Sequence, residues 1–225
     1  MDKSLSLSEK IYLFAIHPQK GGILSSAYSD LDYILLGSLF LELYLEEKIV
    51  FENKRIVLKN SKTNNPLHRL LLVKMELSKK PLKISRWINK FYFSQKKIRR
   101  LLQKSLVDKR MIRLEDKNFL FFRWKKTVLV NKQKVNQLLS EIDNSIFKGT
   151  ADKEQIMLLS LLKPAGLMKR LFPEKEKRNK AKHRLKNMMV ENQVSAAVAD
   201  AISAAQAVAA SVAATTAATT AAISS

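Results

Sequence analysis

The spacing of apolar and polar residues divides most of the chain into helices. The segment Ser6–Glu9 has the pattern of a capping box, which predicts a first helix that runs to about Ile16. Asp30 or Asp32 begins a second helix through about Glu46, and its apolar residues cover nearly the whole circumference, as in a core helix. Further helices are predicted at about 66–77, 84–91, 94–107, 132–147, 152–163, 173–190 and 194–212.

Two short hairpins are predicted between these helices, each with two apolar runs that flank a polar turn. The first has strands at 49–51 and 55–58 and a turn at 52–54. The second has strands at 111–114 and 119–122 around a turn at 115–118, and 127–130 adds another strand. The fold class predicted from these elements is mainly α, a single globular helical domain with short β-hairpins.

Composition supports one folded domain. The chain has 225 residues, 46% of them hydrophobic, and only five Gly and five Pro, which is typical of a folded, helix-rich protein. It contains no Cys, which excludes a disulfide scaffold and thiolate metal sites and fits a reducing compartment. We expect residues 1–205 to form the domain and residues 206–225 to be an Ala/Ser/Thr-rich helix end and tail.

The two ends of the chain predict neither export nor membrane insertion. At the amino terminus no basic segment precedes an apolar run, so no signal peptide is predicted. The segment Ala204–Ile223 is uncharged, but Ala, Thr, Ser and Val are only weakly apolar, so we expect a soluble helix with a frayed tail. The expected location is cytoplasmic.

The positive charge is concentrated in the middle of the chain. Of the net charge of +21, residues 79–134 contribute +16, from 19 basic and 3 acidic side chains. A solvated surface normally mixes both signs because like charges repel. Such one-sided enrichment costs stability and indicates a polyanionic partner.

The best candidate for that contact is the helix at 95–107, whose apolar side chains share one face while its cations spread over the opposite arc. The apolar face is predicted to contain Ile98, Leu101, Leu102, Ser105 and Leu106. The exposed cations are Lys96, Lys97, Arg99, Arg100 and Lys104, with Arg86 nearby in the chain. No acidic residue lies between Glu76 and Asp108 to neutralise them, so we predict that they bind phosphate groups.

Composition leaves the identity of the polyanion open. An anionic membrane is the leading hypothesis. The order helix, helix, hairpin over residues 83–123 is also that of a winged helix, in which a basic helix enters the major groove of DNA. The aromatic residues in this segment fit a lipid interface, base stacking or the core; they are Trp87, Phe91, Tyr92 and Phe93. An acidic partner protein is the third hypothesis.

Catalytic groups are not brought together by any sequence motif. The histidines are His17, His68 and His183, far apart in the chain. Gly21 and Gly22 are not followed by the Lys and Ser/Thr of a phosphate-binding loop. Asp30 and Asp32 fit helix caps better than metal ligands. We therefore predict a non-enzymatic protein that needs no metal or cofactor.

Six landmarks occur in a distinctive order: Leu5–Leu13, Leu35–Leu43, Lys48–Phe51, Trp87, Leu106–Lys109 and Asn118–Phe122. Together they resemble the Golgi phosphoprotein 3 family of phosphoinositide-binding peripheral membrane proteins, which also has bacterial members. The resemblance covers about residues 5–205 and favours a compact bacterial member. It implies a helical fold that associates peripherally with a membrane. Relatives self-associate through a hairpin, but residues 123–126 differ here, so no oligomer is predicted.

The resemblance also implies a headgroup site, which in the family recognises phosphatidylinositol 4-phosphate. Two basic residues three apart on the helix before Leu106 belong to that site, and they correspond here to Lys96 and Arg99. The family also uses a Trp before its second helix and an Arg before the helix glycine. These positions fall at Ala27–Tyr28 and at Leu36, so we expect general binding of anionic headgroups rather than selective recognition.

Overall fold

The computed structural model describes residues 4–53, 55–78 and 80–191. Its helices are α1 (Leu7–Ala15), α2 (Leu31–Leu45), α3 (Pro66–Glu76), α4 (Ile84–Phe91), α5 (Gln95–Asp108), α6 (Lys132–Lys148), α7 (Lys153–Leu162), α8 (Met168–Leu171) and α9 (Lys175–Glu191). Its strands are β1 (Ile49–Glu52), β2 (Arg55–Leu58), β3 (Leu82–Lys83), β4 (Ile112–Phe119) and β5 (Phe122–Leu129). Short 3-10 helices lie at Ser25–Ala27 and Tyr92–Ser94.

The predicted mainly α fold with short hairpins is confirmed. The helix predicted at 194–212 and the tail at 206–225 lie outside the described residues, so the domain boundary at 205 stays a prediction.

Local side-chain contacts fix several helix ends. The Ser6 hydroxyl accepts a hydrogen bond from the Glu9 amide, and the Glu9 carboxylate accepts one from the Ser6 amide at 2.9 Å, so the predicted capping box is confirmed. Asn65 and Asp152 cap α3 and α7 through their side-chain oxygens. Gly149 ends α6 in the left-handed conformation that glycine adopts without strain.

Helix α2 lies at the centre of the core. Every residue of the segment 34–43 is buried, and α2 packs against α1, α5 and α7. This confirms the prediction of a core helix. Because its apolar side chains cover all sides, the hydrophobic effect favours surrounding it with the apolar faces of other helices.

Two antiparallel sheets complete the fold. The first has the order β1-β2-β3, and its β1–β2 hairpin has the predicted strands. The second is the hairpin β4–β5, whose two eight-residue strands pair along their whole length. The segment 127–130, predicted as a separate strand, largely coincides with the end of β5.

The turn predicted at 115–118 is wrong. These residues lie within β4, and the chain reverses instead at Leu120 and Phe121, since Phe119 pairs with Phe122. Both carboxylates of this segment have cationic partners within the hairpin: Glu115 pairs with Arg113 and Lys117 of its own strand, and Asp116 lies 3.4 Å from Lys125 directly opposite. Such cross-strand pairs stabilise a strand whose faces are open to water.

Candidate functional site

Helix α5 has the two faces that its sequence predicts. Ile98, Leu102 and Leu106 are buried, and Leu101 and Ser105 are half-buried, so the predicted apolar face is confirmed. The side chains on the opposite arc point to solvent: Lys96, Lys97, Arg100 and Lys104 are exposed. Among the described residues, none of these four cations has a carboxylate within 4.0 Å. We call them the α5 cations.

Arg99 departs from this pattern because a carboxylate from another helix neutralises it. Its Nη2 lies 2.7 Å from Oδ1 of Asp32 in the first turn of α2, and both side chains are half-buried. Asp32 is therefore an ion-pair partner rather than the predicted helix cap. Asp30 occupies the N-cap position of α2, but its side chain makes no capping hydrogen bond.

The other two family headgroup positions, at Ala27 or Tyr28 and at Leu36, contribute no charge to the surface. Ala27 and Leu36 are both fully buried, so neither side chain can contact a headgroup. The neighbouring Tyr28 is 70% exposed. Of the positions carried over from the resemblance, Lys96 alone presents an exposed and unpaired charge.

The aromatic residues before α5 divide into core and surface. Trp87 is buried and stacks on Phe91, with ring centroids 5.8 Å apart. Tyr92 and Phe93 lie on the surface in the 3-10 helix that leads into α5, and Phe93 is 91% exposed. Arg86, which was predicted to belong to the same basic surface, is exposed but lies on α4 rather than on α5.

The tip of the β4–β5 hairpin is a surface feature that the sequence analysis missed. Leu120, Phe121 and Phe122 are 77%, 98% and 72% exposed, and Trp124 next to them is also exposed. Leu120 has a φ of +52°, a conformation that favours Gly or Asn over a branched apolar residue. An exposed Leu at such a position costs stability without contributing to the core. The available signal was the apolar run 119–122 between two charged segments.

A buried polar network holds the base of the hairpin against α5. The Gln103 amide donates to the Tyr12 hydroxyl at 2.7 Å and to the Thr127 hydroxyl at 3.1 Å. Burial raises the pKa of Tyr12 above its usual value, although the hydrogen bonds from Thr127 and Gln103 partly offset that effect. The Gly22 amide also donates to the Thr127 carbonyl at 2.7 Å. The hairpin therefore emerges from the domain at a fixed place beside α5.

A buried carboxylate fixes the carboxyl-terminal end of α5. Glu9 accepts a hydrogen bond from the Ser105 hydroxyl at 2.7 Å and pairs with Lys109 at 2.6 Å. The same carboxylate completes the capping box of α1, so one side chain joins the two helices. The α5 cations are thus carried by a helix anchored along its buried face and at its end.

Two further observations bear on the kind of site. In the described part of the chain, no group of three His, Asp or Glu side chains is arranged so that it could hold a metal ion. Among residues 4–53, 55–78 and 80–191, each helix is too short or too polar to cross a bilayer.

Comparison with known proteins places the chain in a family. The family model described as Golgi phosphoprotein 3 (GPP34) matches residues 7–205. A search of curated proteins finds no match. Because the family match extends over most of the sequence, the chain belongs to the Golgi phosphoprotein 3 family.

Proposed function

We propose that the protein is a non-enzymatic peripheral membrane protein that binds anionic lipid headgroups through the α5 cations. Membership of the Golgi phosphoprotein 3 family fits a lipid-binding peripheral protein. The observation that carries the proposal is the combination of four unpaired cations on one helix with an apolar hairpin tip on the neighbouring element. A phosphate-rich surface with an apolar interior matches both features.

The electrostatic part of the attraction is sufficient for reversible binding. Each Lys or Arg near an anionic membrane surface contributes about 1 kcal/mol, so four such groups contribute about 4 kcal/mol. This attraction weakens as salt screens it over a Debye length of about 8 Å at physiological ionic strength. The electrostatic part of binding is therefore expected to be strong at low salt and weak at high salt.

The hairpin tip supplies an apolar contact that salt does not screen. Full burial of a Leu or Phe side chain contributes about 1.5–3 kcal/mol, and Leu120, Phe121 and Phe122 are exposed together. Aromatic residues are enriched where a protein meets the membrane–water interface. The tip is therefore expected to enter the upper acyl region while the α5 cations remain among the headgroups.

Co-sedimentation with liposomes tests this function. Binding should rise with the fraction of anionic lipid and fall with salt, and the charge reversal Lys96→Glu, Lys97→Glu, Arg100→Glu should remove most of it. The matched control reverses three exposed lysines of α9, Lys175, Lys182 and Lys186, and should retain most binding. Equal binding by the folded α5 variant would refute the function.

Binding to nucleic acid is the alternative function. The observed order of α4, α5 and the β4–β5 hairpin supports it. That order is the plan of a winged helix, in which α5 would enter a major groove. The apolar hairpin tip favours the membrane, because Leu120, Phe121 and Phe122 are exposed there and offer no charge to a phosphate backbone. Titration against duplex DNA at physiological salt separates the two: a shift with a steep salt slope supports DNA binding.

A further inference from the structure

The cleft between α5 and the hairpin has the lining expected of a site for an amphiphilic anion. The cleft has a volume of about 550 Å³. Its lining residues are Arg100, Gln103, Lys104, Val107, Leu114 and Lys125. We call this cleft the α5–hairpin groove. It combines three cations with two aliphatic side chains from different elements.

Register explains how these residues come together. Arg100, Lys104 and Val107 are four and three residues apart, so they form one stripe along α5. On the hairpin, Leu114 is two residues from Asp116, which lies directly opposite Lys125. Since alternate residues of a strand and directly opposed residues share a face, Leu114 and Lys125 lie on the same face of the hairpin.

The cations of the groove are available to an external anion. Among the described residues, Arg100 and Lys104 have no carboxylate within 4.0 Å. Lys125 lies 3.4 Å from Asp116, and both side chains are largely exposed, so their pairing contributes at most about 1 kcal/mol. A phosphate group offers Arg100 a bidentate partner that no carboxylate of the described chain provides.

The width of the groove is fixed before any ligand binds. The Gln103 amide joins α5 to Thr127 on β5 and to Tyr12 on α1. These contacts hold the helix and the hairpin at a constant separation directly beneath the groove. Preorganisation of this kind lowers the entropic cost of binding.

We propose that the α5–hairpin groove binds the phosphate and the adjoining acyl-glycerol part of one anionic phospholipid. The inference rests on the proposed function and adds a discrete site to it. Lys125 lies three residues from Phe122, about 10 Å along the strand, which exceeds the depth of about 5–7 Å of one headgroup layer. With the tip among the acyl chains, the groove lies at the level of the phosphates, and Val107 and Leu114 contact the glycerol backbone and first methylenes.

This site differs from the family headgroup positions described above. Lys96 and Arg99 do not line the groove, and Arg99 is held by Asp32. Charge-matched variants therefore separate a discrete site from general attraction. Lys96→Gln with Lys97→Gln removes two cations at about 1 kcal/mol each and should weaken binding to anionic vesicles about thirtyfold. Arg100→Gln with Lys104→Gln, the same change in charge, also removes the contacts of the discrete site and should weaken binding at least about tenfold more.

The two proposals fail in different ways in this experiment. Equal losses for the two double variants would overturn the groove site and leave general attraction to anionic lipid intact. No binding of anionic vesicles by the unaltered protein would overturn the proposed function itself. Circular dichroism of each variant establishes that it is folded.

A second experiment separates a lipid from free phosphate as the ligand. The probes are dihexanoyl phosphatidic acid below its micelle concentration and glycerol 3-phosphate, titrated into the full chain. The short-chain lipid should bind one to one, shift the methyl resonances of Val107 and Leu114, and bind at least about tenfold more tightly than glycerol 3-phosphate. Val107→Asp, at a half-exposed position of α5, should remove this binding. Equal affinity for the two probes, or unchanged Val107 and Leu114 resonances, would overturn the proposal.

Discussion

Arg99 on α5 donates a hydrogen bond through Nε to Oδ1 of Asp32 on α2 at 2.9 Å, and its Nη2 lies 2.7 Å from the same oxygen. The two residues are 67 positions apart in the sequence. Their ion pair is half-buried, so water screens it less than it screens an exposed pair. It ties the basic helix to the core helix and withholds one cation from the surface.

Replacing Asp32 with Asn should release this cation. On the proposed function, one additional free cation near an anionic surface contributes about 1 kcal/mol, so vesicle affinity should rise about fivefold. Stability should fall by about 1.5–3 kcal/mol because a charged hydrogen bond is lost. Co-sedimentation and urea unfolding measure the two effects.

The control for this variant is Asp143→Asn, which removes another half-buried carboxylate that pairs with a cation, Lys177, at 2.8 Å. It changes the net charge equally but releases no cation on α5. If both variants increase vesicle binding equally, net charge rather than Arg99 accounts for the gain.

Leu120→Gly should stabilise the protein and weaken its membrane binding. The φ of +52° at Leu120 costs about 1 kcal/mol for a non-glycine residue, so Gly should raise the free energy of unfolding by up to that amount. Loss of the exposed Leu side chain should reduce vesicle affinity about tenfold. Thermal unfolding and co-sedimentation should therefore change in opposite directions.

Asn53→Gly is the matched control for that prediction. Asn53 has a φ of +50° in the turn between β1 and β2, away from the hairpin tip in the sequence. Because Asn tolerates this conformation better than Leu, the gain in stability should be only a few tenths of a kcal/mol. Vesicle binding should be unchanged, and a comparable loss would show that the tip is not the cause.

Gly21→Ala should destabilise the fold through the base of the hairpin. A Cβ at Gly21 would lie 2.8 Å from the Thr127 carbonyl oxygen, at a φ of +68°. Gly149 has a similar φ of +71°, but a Cβ there would meet no atom within 4 Å, so Gly149→Ala isolates the cost of the backbone conformation. We expect about 1 kcal/mol for Gly149→Ala and about 2–4 kcal/mol for Gly21→Ala in urea unfolding. Equal costs would mean that the chain shifts freely at Thr127.

A buried acid–base cluster in the core predicts a dependence of stability on pH. His68 Nε2 lies 2.8 Å from Glu42 and Nδ1 lies 3.3 Å from Glu46. Burial lowers the pKa of His68, but the two carboxylates outweigh it, so the pKa is above its ordinary value of 6.5. Burial raises the pKa of Glu42, but hydrogen bonds from His68 and the Ser8 amide hold it below its ordinary value of 4.5.

The direction of each pKa shift defines the pH range in which the His68–Glu42 pair stabilises the fold. Stabilisation by His68 is complete below pH 6.5 and is lost as the pH rises through its raised pKa. Stabilisation by Glu42 is complete above pH 4.5 and is lost as the pH falls through its lowered pKa. The pair therefore stabilises most between these two values. His68→Gln should cost about 3–5 kcal/mol at about pH 5.5 and less at about pH 8.5 in urea unfolding. A cost independent of pH would mean that His68 is neutral throughout.

The helices could be predicted because their signals are local. The capping box at Ser6 and Glu9 and the apolar circumference of α2 depend only on neighbouring residues. The periodicity that buries Ile98, Leu102 and Leu106 also identified the exposed side of α5. Helices whose signals lie within about a dozen residues can therefore be predicted from the sequence alone.

Contacts between distant segments could not be predicted in this way. The partner of Arg99 depends on how α2 packs against α5, and nothing near Arg99 in the sequence indicates Asp32. The hairpin turn depends on which register gives the best cross-strand pairs, and polar residues such as Asp116 fit a turn and an exposed strand equally well. The position of Lys125 beside Arg100 and Lys104 in the groove could not be predicted either, because strand register rather than helix periodicity brings it there.

The anchoring of α5 by Glu9 has a consequence for the order of folding. Ser105 and Lys109 lie 96 and 100 residues from Glu9 in the chain, and contacts of such long sequence separation form slowly because a large loop must close first. The middle of the chain can form a helix on its own, but its orientation depends on the first helix docking against it. We therefore expect the cationic surface to be completed late in folding, after the local helices have formed.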